Sequence, residues 1–393
     1  MKSKLAAIIL ILLALIPGCA HSAATPEYRA IQVHTWIPGM LSPEQIDETV
    51  KWAKDANMNL VILQARRVAD AVYNSAYEPR GSSIEGPPNF DPLGYGIQKC
   101  RENGLQVYAW FNVYRVWGGG KPSNPKHVVN QHPEWLNKNF DGKTGTSDGL
   151  FLDPGVPEVR AYTVKVLGDL LSKYDVDGIM LDFVRYPDRD WGYSEIAVAR
   201  FNKQYGRTGK PDPRDFTWGR WRREQVTEMV RAMYKEINRR KPRCVLSAAT
   251  IPWGPCATSW TRTDAFAWVF QDWRLWMEQG ILDVNMPMNY KNPAKPRDQG
   301  WYVDWLEGMK KWSYGRHAIS VAMVLYNNVD GAVEQIRLAR EHGLPGAGGF
   351  AFSQTSRKAE LAAALKAKVY QEPAPVPVCP WKTNPPKPKC GAP

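Results

Sequence analysis

From Tyr28 to about Tyr370 the chain alternates strand-like and helix-like segments with little interruption, and few architectures can absorb that alternation. Strand-like runs occupy 30–36, 60–66, 106–114, 178–183, 245–250, 282–289, 318–325 and 348–353, with amphipathic stretches such as 44–56, 158–174, 220–240 and 331–342 between them. Strands joined through helices form a parallel sheet, because a parallel pair needs a long crossover. The helix signals agree. Ser42-Pro43-Glu44-Gln45 offers an N-cap, proline in the first turn and Gln three residues after the cap, while Gly104 and Gly343 stand where helices should stop. Eight such units predict an α/β fold, a single (β/α)8 barrel spanning 28–370. A doubly wound sheet is the competing layout, but no glycine-rich phosphate fingerprint follows the first strand. Long insertions at 67–89 and 115–157, after the second and third strands, fall on the face where barrels carry their chemistry.

The two ends read differently. Lys2 and Lys4 precede an apolar run from 5 to 16, so residues 1–24 are expected to be a signal peptide. Ile16-Pro17-Gly18-Cys19 resembles a lipobox, which would make Cys19 the lipidated N-terminus; ordinary cleavage after Ser22-Ala23-Ala24 is the alternative. Both imply export to a periplasm or cell envelope, with membrane contact only through such an anchor. Residues 371–393 turn to proline and lysine and read as a tail or envelope spacer. None of the six cysteines forms a CxxC pair. Cys379 with Cys390, and Cys244 with Cys256, are candidate disulfides, and Cys100 reads as a buried thiol.

Seventeen Trp and 17 Tyr suit either an aromatic core or a site that stacks on sugar rings. The net charge of +12 is scattered, and no nucleic-acid motif accompanies it. No nucleic-acid partner is expected, and oligomeric state is left open.

Residues 177–187, DGIMLDFVRYP, deliver one acid, Asp182, to the end of the fourth strand. Strand period places Asp182 on the face of Met180, toward the barrel axis. The same parity turns Gln32, His34 and Trp36 inward on the first strand, Gln64 and Arg66 on the second, and Tyr108, Trp110, Asn112 and Tyr114 on the third. On the sixth it groups Asn285, Pro287 and Asn289. Polar groups converging from five strands point to a site, since buried polar groups without partners are costly. Asp182 reads as nucleophile or charge stabiliser in glycosidic cleavage, kept ionised by Arg66 and Arg185; a purely structural salt bridge is the plainer alternative. His34 reads as a hydrogen-bond donor. No further His completes a metal set, so neither metal nor cofactor is expected.

The segments AWFNVYRV (109–116), HPEW (132–135), LDPGVPEVRAY (152–162), YDVDGIMLDFVRYP (174–187), WRREQV (221–226) and DVNMPMNY (283–290) together resemble the glycosyl-hydrolase-like 10 family of bacterial envelope proteins. The resemblance implies a (β/α)8 glycoside hydrolase, with peptidoglycan strands stripped of stem peptides as a substrate of at least one relative. Many members carry two adjacent acids where this chain has Asp182-Phe183. A second carboxyl is normally needed to protonate the leaving oxygen. Asp272 in FQDWRLW is the first candidate, ahead of Asp153, Asp70 and Glu78. Arg66, Asn112, Tyr114, Arg115, Arg185, Tyr186 and Asn289, with His34 and Gln64, are expected to hold polar groups of the glycan, and Trp36, Trp253 and Tyr290 to stack on it. The competing expectation is a barrel that binds glycan at the envelope without cutting it.

Overall fold

The computed structural model describes residues 24–292, 294–323, 329–352 and 357–383. Residues 1–23, where the signal peptide and Cys19 are expected, and Cys390 lie outside the described residues. The barrel strands are β1 (Tyr28–Val33), β2 (Leu60–Arg66), β3 (Gln106–Asn112), β4 (Gly178–Asp182), β5 (Val245–Thr250), β6 (Val284–Pro287), β7 in two pieces (His317–Ala318 and Ser320–Met323) and β8 (Gly346–Phe350). All pair in parallel in the order β7-β6-β5-β4-β3-β2-β1-β8-β7. His317 pairs with Val284 and Ser320 with Ala347, so the split β7 closes the ring. Helices Pro43–Asp55, Pro157–Lys173, Phe216–Arg240 and Val329–Glu341 fall within a few residues of their expected places. Ser42 caps the first of them by accepting from the Gln45 amide.

Side chains separate into two apolar layers, as the strand period requires. Ala30, Ile62, Tyr108, Trp110, Met180 and Met286 fill the barrel interior, while Ile31, Val61, Phe111, Ile179 and Leu181 pack outward against the helices. The sixth strand reverses its expected parity. Val284 and Met286 face the axis, and Asn285 and Asn289 face the helix layer. Apolar filling of the interior decides the register, and the asparagines find partners outside it. Asn285 Oδ1 accepts from Thr250 Oγ1 at 2.7 Å, and Asn289 Nδ2 donates to the Tyr302 carbonyl at 3.2 Å. β3 stops at Asn112, and the chain turns into a small antiparallel sheet of Arg115–Trp117, Gly145–Thr146 and Gly149–Phe151 above the barrel.

Residues 372–383 run across the N-terminal end of the barrel. Glu27 N donates to the Pro375 carbonyl at 3.0 Å, and Asn59 Nδ2 to that of Ala374 at 2.8 Å. Trp381 Nε1 donates to Asp283 Oδ1 at 2.6 Å, and Lys382 Nζ lies 3.0 Å from Asp283 Oδ2, with the carboxylate fully buried. Deleting everything after Gln371 strips Asp283 of these two partners and leaves it Arg316 and Tyr234 OH at 3.3 Å and the Leu246 amide at 2.8 Å. A buried charge losing part of its compensation costs about 2–3 kcal/mol. The truncated protein is expected to melt about 3 °C lower; an unchanged melting temperature would mean that this segment does not support the barrel. Cys244 and Cys256 carry free thiols rather than the disulfide considered above, as do Cys100 and Cys379. Cys244 is buried at the start of β5, whereas Cys256 packs against Gly308 of the helix Pro296–Lys311.

Candidate active site

A cleft of about 260 Å3 opens at the C-terminal ends of the strands, with Asp182 at its floor. β4 ends on Asp182, and Phe183 turns the chain away with φ 49°. That left-handed conformation is uncommon for a bulky residue and costs about 1–3 kcal/mol. It aims the Phe183 amide back at Asp182 Oδ1, 2.6 Å away. Asp182 Oδ2 accepts from Trp110 Nε1 at 3.1 Å, a donor shared with Asn112 Oδ1 at 2.8 Å. Burial pushes the Asp182 carboxyl up to about 6, against the opposing pull of the Phe183 amide, the Arg185 charge, the Trp110 indole and the Arg115 charge. The expectation that Arg66 helps keep it ionised is corrected, because Arg66 is committed to Glu78 elsewhere. Arg185 does pull toward the ionised form as expected, but desolvation outweighs it. Near neutral pH such a group exchanges its proton readily, which suits an acid more than a permanent anion.

The Trp110 bond favours the ionised form, so removing it raises the titration midpoint. Trp110→Phe is expected to move the Asp182 midpoint upward by ~0.5–1 unit, read from the carboxyl 13C shift. A midpoint that stays put or falls would contradict the bond.

Trp36, Arg185, Trp253 and Tyr290 join Asp182 in lining the cleft, as expected from sequence. Trp36 and Trp253 remain 40% and 42% exposed, so part of each indole is open to a ligand even though the Arg185 guanidinium lies 5.4 Å from the Trp253 ring centre. Tyr290 stacks on Phe350 with ring centres 5.5 Å apart. Two expected residues form a second ring behind the first. His34 Nδ1 accepts from the Trp36 amide at 3.2 Å, which leaves Nε2 as the nitrogen that carries a proton to donate; burial and then Arg67 lower its imidazole to about 4. Asn112 ties Trp110 to the Arg67 carbonyl. Arg115 reaches the rim through the Phe183 ring, 5.4 Å from its guanidinium, and through the Asp148 carbonyl.

The remaining candidates are drawn into the fold. Gln64 Oε1 accepts from Thr35 N and Oγ1 and so fixes the exit of β1. A register shift between Gln64 and Arg66 takes Arg66 off the expected parity and into a fully buried pair with Glu78. Tyr114 lies past the end of β3, in the outer apolar layer. Tyr186 is buried edge-on against Phe270, and Asn289 faces the helix layer. Asp272 is corrected as a catalytic acid. It caps the helix Trp273–Glu278, accepts from Trp260 Nε1 at 2.6 Å, and is not among the residues lining the cleft. Asp153 accepts from the Gly155 and Ser194 amides, and Asp70 from that of Val68, so both hold loops.

Gln32, turned inward by strand parity, does line the cleft, but sequence reading missed Asp148, Met288 and Phe350. Phe350 was within reach of the same parity. Asp148 was not, because it sits at the tip of a hairpin within an insertion.

A parallel (β/α)8 barrel with a buried carboxyl ending β4 beneath aromatic walls has the build of the glycoside-hydrolase barrels. The chain belongs to the glycosyl hydrolase-like 10 family, whose sequence profile matches residues 29–305. It is similar to glycosyl hydrolase YngK of Bacillus subtilis, 27% identical over 411 residues covering 95% of this chain and 78% of that protein. It is also similar to glycosyl hydrolase DigH of Escherichia coli K12, 27% identical over 263 residues, 59% of this chain and 54% of that protein. Among solved structures, the PgaB (BpsB) glycoside hydrolase domain from Bordetella bronchiseptica superposes with a TM-score of 0.65 at 14% identity, covering 87% of this chain and 99% of that one. The catalytic domain of β-amylase from Paenibacillus polymyxa gives 0.63 at 10% identity, covering 90% and 100%. At such identities these two establish the fold alone.

Proposed function

We propose that this protein is an exported glycoside hydrolase that cuts O-glycosidic bonds of a cell-envelope polysaccharide, with peptidoglycan-type glycan strands as its substrate and Asp182 as the key catalytic carboxyl. The observation that carries the reading is Asp182 itself, a carboxyl raised to about 6 at the floor of an aromatic-walled cleft. Asp182 in its acid form donates a proton to the glycosidic oxygen as the bond to the anomeric carbon breaks. Trp36 and Trp253 stack on the sugars flanking that bond, because the axial C–H face of a pyranose packs well on indole. Arg185 is placed to hold a polar substituent. The signal-like N-terminus supports export, and Cys19 is the lipid-bearing residue in this reading. Family membership supports glycan hydrolysis, and the choice of peptidoglycan-type strands rests on that family resemblance together with the expected export.

Incubation of the protein with stem-peptide-free glycan strands, chitin oligomers and α-glucans tests it. New reducing ends are expected from the first. Binding to those strands with no fragments from any polymer would favour a glycan-binding barrel and end the hydrolase reading.

A further inference from the structure

The geometry points to Asp148 as the second carboxyl of the cleft, a general base that activates the attacking water; this rests on the hydrolase reading above. Among the described residues that line the cleft, Asp148 and Asp182 alone are acids. Asp148 comes from the insertion after β3, and its hairpin is held firmly. Thr146 Oγ1 donates to the Gly149 carbonyl at 2.9 Å and accepts from the Asp148 amide at 3.0 Å. Gly149 takes φ 109°, and a Cβ there would lie 2.0 Å from the Trp117 carbonyl oxygen, so the turn requires glycine. The Asp148 carbonyl also accepts from Arg115 Nε. The carboxylate is therefore carried on a pinned turn rather than a free loop.

Arg185 connects the two acids. Its Nη2 is 3.3 Å from Asp148 Oδ2, its Nη1 is held by the Tyr186 carbonyl at 3.1 Å, and its charge acts on both Asp148 and Asp182. An ion-paired carboxylate offers acceptor oxygens only. Asp148 has a side chain 47% exposed, so water reaches it directly, whereas Asp182 is buried beneath the cleft. The two environments divide the labour between acid and base. In the step, a water gives its proton to Asp148 while its oxygen bonds to the anomeric carbon. The glycosidic bond breaks with its electron pair going to the leaving oxygen, which takes the proton of Asp182. Solvent exchange then returns one proton to Asp182 and removes one from Asp148. Attack from the face opposite the leaving group inverts the anomer.

Three measurements on stem-peptide-free strands test this. NMR of the fresh reducing end released by wild-type protein is expected to show inverted configuration; a retained anomer would overturn the base role, and this reading needs no variant. Asp148→Asn is expected to lower kcat by at least ~100-fold with KM within a few-fold. Asp148→Ala is expected to regain turnover with azide, releasing a glycosyl azide of inverted configuration. Full turnover by a folded Asp148→Asn protein would overturn the proposal and leave hydrolysis standing. Wild-type protein that releases nothing from any polymer would end the hydrolase reading and this role with it.

Discussion

Asp182→Asn is expected to abolish fragment release, by at least three orders of magnitude, while making the protein more stable at pH 8. The sign follows from proton binding. Burial pushes the carboxyl to about 6 in the folded protein, against the ordinary aspartate value of 3.8, so the native state holds this proton more tightly than the unfolded chain. Below about pH 4 both states are protonated and burial of the group carries no penalty. As pH rises toward 6 the unfolded chain ionises more readily, and above 6 the full penalty applies, about 3 kcal/mol at 1.36 kcal/mol per unit. Asparagine has the same shape and no charge to desolvate. It retains one carbonyl for the Phe183 amide, and Trp110 can fall back on Asn112 Oδ1. Turning an amide NH2 toward the indole costs about 1 kcal/mol, leaving a gain of about 2. Melting curves at pH 8 and pH 4 check it: the variant should melt a few degrees above wild type at pH 8 and no higher at pH 4. A variant less stable than wild type at both pH values would contradict the burial penalty.

Glu78→Gln carries the largest expected loss of stability. Arg66 and Glu78 have fully buried side chains, joined by Nε at 3.0 and 2.9 Å and by Nη2 at 2.7 Å, and Tyr162 OH adds a bond at 3.0 Å. The Arg66 guanidinium also donates to the carbonyls of Asn112 and Val113. The pair thereby ties the insertion after β2 to the end of β3, beside Asn112. Glutamine keeps the shape but leaves a buried guanidinium without its counter-charge, at a cost of about 3–5 kcal/mol. The expected drop in melting temperature is about 5–6 °C. Adding Arg66→Met should recover part of it, because the uncompensated charge goes too. A single variant that melts like wild type would show the pair to be dispensable.

The barrel was legible in the sequence because its signals are local: strand period, helix caps and the spacing of repeats. Asp182 was legible for the same reason, as one acid ending an apolar strand. Parity failed where the chain leaves ideal geometry. The register shift at Arg66 and the end of β3 at Asn112 removed Arg66 and Tyr114 from the cleft. On β6 the apolar requirement of the interior chose Met286 over Asn285. Asp148 was illegible because a hairpin tip within an insertion has no period to betray where it points. Asp272 looked catalytic from its motif, yet an acid before Trp273 also satisfies the first turn of a helix. Which of those roles holds depends on tertiary position, which spacing does not encode.

The most direct measurement is the pH dependence of kcat/KM on stem-peptide-free glycan strands, which reports groups of the free enzyme. With Asp182 as proton donor, the rate should fall about tenfold per pH unit above about 6, because only its protonated form is active. A profile that stays flat from pH 5 to 8 would contradict Asp182 as the acid.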